Sequence, residues 1–445
     1  MPSGVLFTSV DAGSYHSIAL DTNGHAWTWG ASDVAGNGMQ TESDTPAPGT
    51  ATDGHTFTSL AAGSEDSFGL DPSGHAWAWG VNQDGQLGNG STTTEPAPVA
   101  VQMPANVTLT SVVAGAASFY ASALDTTGHV WAWGQNDDGE LGDGTTTSSA
   151  VPVPVTMPNG VTFTKIAAGN SHTLALDTTG HLWAWGYGGD GELGDGSTVS
   201  SSVPVEVTTP PDVTFSAIAA GGSVRTLFFA AGDWSLAVDT SGRVWSWGFN
   251  NDGELGNGTT TNTSLPLPLA QPLNVASVAA GSDFSLALDS SGDAWAWGHS
   301  YWGTLGNGSG GSSGSFSAQP VAVTMPQGVT FSALAAGGDH ALALDREGRA
   351  WAWGRDTNGQ LGDGGGVTMR TTPVAVAMPG GISFTAVAAG NDHSLALGTP
   401  PPANVPEAPL ALVLPSAGAF VAGAVLRRRR AGRHHGPLAG GANPG

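Results

Sequence analysis

Cysteine is absent from this chain of 445 residues, which excludes disulfides, thiolate metal sites and thiol catalysis. Charge is scarce, with Asp, Glu, Lys and Arg together only 11% of the residues. Basic charge is scarcest: 12 Lys and Arg stand against 36 Asp and Glu, a net −24. Five of those 12 are Arg427, Arg428, Arg429, Arg430 and Arg433, so residues 1–426 hold 7 basic and 36 acidic groups, a net −29. A body this acidic repels a phosphate backbone, and a nucleic-acid ligand is set aside. What abounds is glycine, at 68 residues. With so few charges it favours turn-rich β structure over helix.

The chain repeats itself. W-x-W-G occurs at 27–30, 77–80, 131–134, 183–186, 245–248, 295–298 and 351–354, at spacings of 50, 54, 52, 62, 50 and 56 residues. Fourteen of the 16 tryptophans lie in these motifs, so the repeat is the architecture. Each unit reads as four short strands. In the last full unit they are "FSALAAG" (331–337, strand A), "HALALD" (340–345, B), "RAWAWG" (349–354, C) and "TPVAVAMP" (372–379, D). Asp at the end of B with Gly three residues on suits a three-residue hairpin turn with a left-handed glycine. The two Trp of strand C are two apart, so both rings point to one face. One sheet cannot cover such a face alone, but the sheet of the next unit can. Seven sheets packed face to face, with the small "AAG" where strands crowd the axis, predict a β-propeller.

The string A-A-G-x-x-H-x-L-A-L-D-x-x-G-x-x-W-A-W-G-x-N-x-x-G-Q-L-G-x-G resembles the repeat of the regulator of chromosome condensation family. The loops "NQDGQLGNG" (82–90), "NDDGELGDG" (136–144) and "NNDGELGNG" (250–258) are close to the family pattern, and "SDVAGNGMQ" (32–40) departs from it. The resemblance covers about 1–398 and implies an all-β, seven-bladed propeller of four-stranded blades. The A–B half occurs eight times and the C–D half seven. In the family, a C-terminal A–B half closes the ring by joining an N-terminal C–D half. Met1 sits where Met157, Met325 and Met378 stand inside later repeats. The expectation is a truncated N-terminus with a redundant half repeat.

Beyond residue 398 the pattern stops. A Pro-rich linker (399–409) precedes "LALVLPSAGAFVAGAVL" (410–426), 17 uncharged residues at the lower length limit of a membrane-spanning helix, and then a basic tail (427–445) predicted to be disordered. Val405, Pro406, Glu407 and Pro409, the apolar segment and Arg427, Arg428, Arg429 and Arg430 together resemble the PEP-CTERM sorting signal of bacterial exported proteins. Ala408 stands where that signal has its second proline. The resemblance implies an exported protein, anchored at its C-terminus with the ring outside. No secretion signal is visible at the start.

No catalytic constellation, cofactor motif or phosphate loop stands out from the repeat background. His16, His172, His340 and His393 recur in strand B, and His25, His75, His129 and His181 recur after the B–C turn. Histidines repeated once per blade are spread around a ring, whereas a metal needs convergence, so they read as structural. The C–D loops lack the alternating ligands of a calcium loop and read as solvated turns. Departures from the repeat are the binding candidates: Arg225, Phe228 and Phe229 in a stretch where "AAG" occurs twice, and Tyr301 and Trp302 in "HSYWGTLGNG". Large residues there replace Gly, Asn, Asp or Thr on one face of the ring. The alternative is that Phe228, Phe229 and Trp234 pack in a partly duplicated strand.

The leading expectation is a non-enzymatic, monomeric bacterial cell-surface or secreted ring that binds a protein or a cell-surface glycan, with no cofactor or metal. One alternative is a guanine-nucleotide exchange factor-like regulator of a small GTPase, the activity of the family's founding member. Another is a polysaccharide-active exported enzyme, disfavoured by the lack of a convergent acid pair. Ultraviolet sensing, known in a plant member of the fold, is set aside because its Gly-Trp-Arg-His-Thr signature is missing here.

Overall fold

The computed structural model describes residues 5–30, 43–48, 55–115, 118–222, 232–312, 314–378 and 382–399. Every regular element among them is a strand. Seven four-stranded antiparallel sheets follow one another along the chain, each in the order A–B–C–D. In blade seven these are Phe331–Ala336, His340–Asp345, Ala350–Arg355 and Met369–Ala375. The expected seven blades are present. The expected C-terminal helix over 410–426 lies outside the described residues, as do the linker and the sorting-signal residues. Among the described residues no helix is long and apolar enough to cross a membrane.

The extra half repeat takes a place of its own. Ser383–Ala389 and Ser394–Thr399 form a two-stranded sheet. Its A strand packs against the A strand of blade seven on one side and that of blade one, Phe7–Ala12, on the other. Eight A strands therefore surround the axis, seven from full blades and one from this half blade, called sector eight below. Their inner ends carry Gly13, Gly63, Gly115, Gly169, Gly221, Gly281, Gly337 and Gly390. A Cβ on Gly337 would lie 2.6 Å from the Gly390 carbonyl oxygen, and one on Gly390 would lie 2.5 Å from that of Gly13. The backbones approach too closely for any side chain, which is the physical reason for the recurrent glycine.

The B–C turn is built by one aspartate per blade. In blade four, Oδ1 of Asp177 accepts the backbone N–H of Thr179 and of His181 at 2.8 and 3.0 Å. Gly180, with φ +86°, takes the left-handed position of the turn. The other carboxylate oxygen, Oδ2, accepts the indole N–H of Trp183 at 3.1 Å. The same indole bond recurs from Trp27, Trp77, Trp131, Trp245, Trp295 and Trp351. This first tryptophan is thus drawn toward the turn, and Trp183 is only half-buried.

The second tryptophan makes the seam between blades. Trp185 and Trp353 are fully buried. The Trp185 indole donates to the Glu140 carbonyl of the preceding blade at 2.9 Å, and Trp133, Trp247, Trp297 and Trp353 do the same to Gln86, Glu192, Glu254 and Thr304. Around Trp353 pack Leu286, Leu305 and Val323 of blade six with Ala341 and Ala343 of blade seven, so the core lies between sheets. Strand-B histidines join the same seams. Nε2 of His16, His172 and His340 pairs with the hydroxyl of Ser67, Ser235 and Ser394 in the next sector at 2.7, 2.9 and 2.8 Å. Burial holds His16 and His340 neutral, with pKa values pushed down to about 3.

Candidate functional site

Alternating strand direction brings the A–B and C–D connections to one face of the ring. The C–D loops there are tightly built. Asn136 is fully buried; its Oδ1 accepts the Leu141 N–H at 2.9 Å, and its Nδ2 donates to the carbonyls of Thr145 and Thr147 at 3.2 and 3.1 Å. Oε2 of Glu140 accepts the Asp138 N–H at 3.0 Å, and Glu192 and Glu254 repeat this in the next two blades. Of the polar side chains that suggested solvated turns, Asn136 and Glu140 are spent on the loop's own backbone, while Asp137 between them faces water. Burial raises the carboxyls of Glu140, Glu192 and Glu254 to about 7, 9 and 8, and that of Asp66 to about 8. Among the described residues no three His, Asp or Glu side chains stand together as metal ligands.

The loop of blade six keeps this plan but puts Tyr301 and Trp302 where "DD" stands in the loop of blade three. Both are half-buried. Their rings meet edge to face at 4.8 Å, and Tyr301 stacks on His299 at 6.5 Å. The guanidinium of Arg355, from the end of strand C in blade seven, lies 5.2 Å from the Trp302 ring centre. Arg355 also pairs with Asp339 at 3.3 Å and Asp392 at 2.9 Å, on the A–B connections of blade seven and sector eight. The cluster therefore spans two seams. Burial raises the Asp339 carboxyl pKa, although Arg355 pulls it the other way. Arg370, another described arginine of this face, is held by Asp363. The A–B and C–D connections also present Asp84, Asp137, Asp252 and Glu65, each exposed or half-buried.

The structure thus joins Tyr301 and Trp302 but does not describe Arg225, Phe228 or Phe229, which lie within 223–231, outside the described residues. It does fix what flanks them. Strand A of blade five is Phe215–Gly222 and strand B is Asp233–Asp239, so the first "AAG" belongs to strand A and the three residues fall in the A–B connection. Trp234 is not part of a surface; it takes the strand-B position of the histidines, fully buried, and donates to the Ser285 hydroxyl at 3.1 Å. Sequence reading missed Arg355, Asp339 and Asp392. One signal was available for the first: after W-x-W-G the other blades carry Ala31, Val81, Gln135, Tyr187, Phe249 and His299, and only blade seven carries a cation.

The opposite face is different in character. After each B–C turn stand His25, His75, His129, His181, Arg243, Asp293 or Arg349. The four histidines are 42%, 66%, 57% and 49% exposed, each beside its own turn aspartate. They do not converge.

The repeat and the seams define a propeller of the RCC1 class. The chain belongs to that family: the RCC1-like domain matches residues 38–396 and the regulator of chromosome condensation (RCC1) repeat matches 7–34. It is 30% identical over 360 residues to the ultraviolet-B receptor UVR8 of Arabidopsis thaliana, covering 80% of this chain and 78% of that protein. It is 29% identical over 323 residues to the human E3 ubiquitin-protein ligase HERC2, covering 72% of this chain but 6% of that protein. Among solved structures, yeast RCC1 (Prp20) bound to Kap60 is similar at a TM-score of 0.67 and 21% identity, covering 89% of both chains. Human WBSCR16 is similar at 0.65 and 22%, covering 84% of this chain and 97% of that one. These two likenesses show the fold.

The matches correct the expectation of a bacterial cell-surface or secreted binder of proteins or glycans. UVR8, HERC2 and Prp20 are eukaryotic regulators, and none of them is named for a surface or glycan-binding role. That expectation rested on residues 405–430 rather than on the ring, and those residues lie outside the described part. The exchange-factor alternative fits the relatives better.

Proposed function

We propose that the ring docks proteins through its A–B/C–D face and acts there as an exchange-factor-like regulator of a small GTPase. The observation that carries this reading is the half-buried Trp302, clamped by Arg355 across two seams of a carboxylate-rich face. Aromatic rings and arginine, held rigid before binding, are the usual anchors of a protein interface. The surrounding carboxylates select a basic partner surface and speed the encounter.

The same charge suits nucleotide exchange. An exchange factor weakens a bound nucleoside diphosphate without any covalent step. Carboxylates brought beside the phosphates repel them and compete for the cations that hold them. A relative supports the direction: a structure of yeast Prp20p is described with its binding to Gsp1p and histones.

The test is release of a fluorescent guanosine diphosphate from a panel of small GTPases, with the full chain as catalyst. Faster release by at least one of them is expected. Trp302→Ala should reduce it by at least about tenfold, and added salt should slow association. A panel that neither binds nor releases nucleotide faster, or a folded Trp302→Ala variant with full activity, overturns the proposal.

A further inference from the structure

An open hollow of about 330 Å³ lies on the B–C side of blade four, away from the Trp302 cluster. It is lined by His181, just after the B–C turn, and by residues 206–213, where the chain leaves strand D (Ser201–Glu206) for the next blade. Comparison with the other blades explains why it is open. After strand D, Val101, Val155, Val323 and Val376 are each followed two residues later by a methionine: Met103, Met157, Met325 and Met378. Each of these methionines packs, partly buried, on the core of its own seam.

Blade four keeps the backbone of this arrangement. The Val207 N–H reaches the Leu182 carbonyl just as the Val155 N–H reaches that of Val130. Residue 209, however, is threonine. A methionine is long, unbranched and able to fill an irregular slot; Thr209 is shorter and branched. The space it leaves is walled by Val207, Val213, Pro210 and Pro211.

The same blade departs from the repeat twice more, each time with a carboxylate on the hollow. Glu206 pairs with Trp183 in the sheet, where every other full blade sets proline or alanine against that tryptophan, as with Pro154 and Ala322. Asp212 holds φ +66° where Gly160 and Gly328 hold +75° and +73°, so an acidic side chain occupies a left-handed position that glycine takes freely. Neither carboxylate has an ion-pair or hydrogen-bond partner among the described residues. Three changes fall together in one blade and turn a methionine slot into an apolar hollow with an acidic rim.

We propose that this hollow binds an arginine side chain. The unbranched stem takes the place of the methionine, and the guanidinium meets Glu206 and Asp212. Such a stem lies along apolar surface while its charged head stays at the rim. The planar, weakly hydrated guanidinium pairs with carboxylates through several N–H groups at once and rests against a ring such as that of His181.

The experiment titrates the full chain by calorimetry with a blocked Gly-Arg-Gly tripeptide. Saturable one-to-one binding is expected. Norleucine in place of the arginine keeps the stem, removes the charge and should weaken binding at least about tenfold. Thr209→Met installs the residue that four other blades carry; it should abolish binding and keep or raise the thermal midpoint. Glu206→Ala, the residue of blades two, six and seven, should weaken binding at least about tenfold and serves if the first variant fails to fold. Free arginine titrated in parallel tells an amino-acid ligand from a peptide one, since the tighter binder is the source. No binding of either probe overturns the proposal, as does equal binding of the norleucine peptide. So does an affinity that Thr209→Met leaves unchanged, the mark of general attraction to an acidic body.

Discussion

Asp177 and its six counterparts show how much one side chain can organise. The sequence identified this aspartate as the opening of a hairpin turn, and the turn is there. What could not be read was its second task, gripping the indole six residues on, because that bond depends on the strand C register and not on the turn. The consequence is a division between two tryptophans that look alike in the sequence. Trp183 is half-buried and tied to Asp177 within its own blade; Trp185 is fully buried and crosses to Glu140 of the blade before. Trp185→Ala should destabilise by about 3–5 kcal/mol, as expected for emptying a buried ring site. Trp183→Ala should cost roughly half as much, since less of the ring leaves water. Urea unfolding of both variants checks the order, and equal losses would mean that the seam carries no special share.

At the scale of elements, the strands were legible because their period of two and their glycines repeat in every unit. The C–D loops were not. Their Asn, Asp and Glu suggested solvated turns, yet Asn136 is fully buried with its amide divided among Leu141, Thr145 and Thr147. Composition cannot separate a polar side chain facing water from one facing backbone. Asn136→Ala strands one buried N–H and two carbonyls, at about 1–3 kcal/mol. Limited proteolysis should then cut within 136–147, where the native ring resists, and unchanged resistance would count against a structural role for the asparagine. The cluster around Arg355 was half legible for a similar reason. Tyr301 and Trp302 break the repeat pattern in place, whereas Asp339 and Asp392 sit at unremarkable positions and matter only because the ring brings them to Arg355.

The whole molecule buries opposite kinds of ionisable group, and its stability should follow their titrations. His16 and His340 are neutral in the folded ring down to about pH 3, against 6.5 when unfolded. Their contribution is present above 6.5 and is lost as pH falls below it, because the unfolded chain takes up the protons. Glu140, Glu192 and Glu254 have folded values of about 7, 9 and 8 against 4.5 unfolded. The folded ring holds their protons longer, so their contribution is complete below 4.5 and drains away as pH rises toward 9. Between 4.5 and 6.5 the two histidines favour the folded ring as pH rises, but three glutamates and Asp66, raised to about 8, outweigh them. The thermal midpoint should peak near pH 4.5 and fall by pH 9, and self-repulsion of the net −24 chain adds to the fall. A scan from pH 3 to 9 with a maximum above 7.5 would contradict it.

Blade five shows what the seams leave free. Its motif lies 62 residues after that of blade four, where other neighbours lie 50 to 56 apart, and the surplus falls between Gly222 and Asp233. Yet Trp247 meets Glu192 at 2.7 Å and Trp234 meets Ser285 at 3.1 Å, the distances of an unextended blade. The joints are made by strand side chains and one loop carbonyl, and they keep these distances whatever the length of the connection between strands A and B. The ring can therefore acquire new text on one face, one connection at a time, without any joint being cut again.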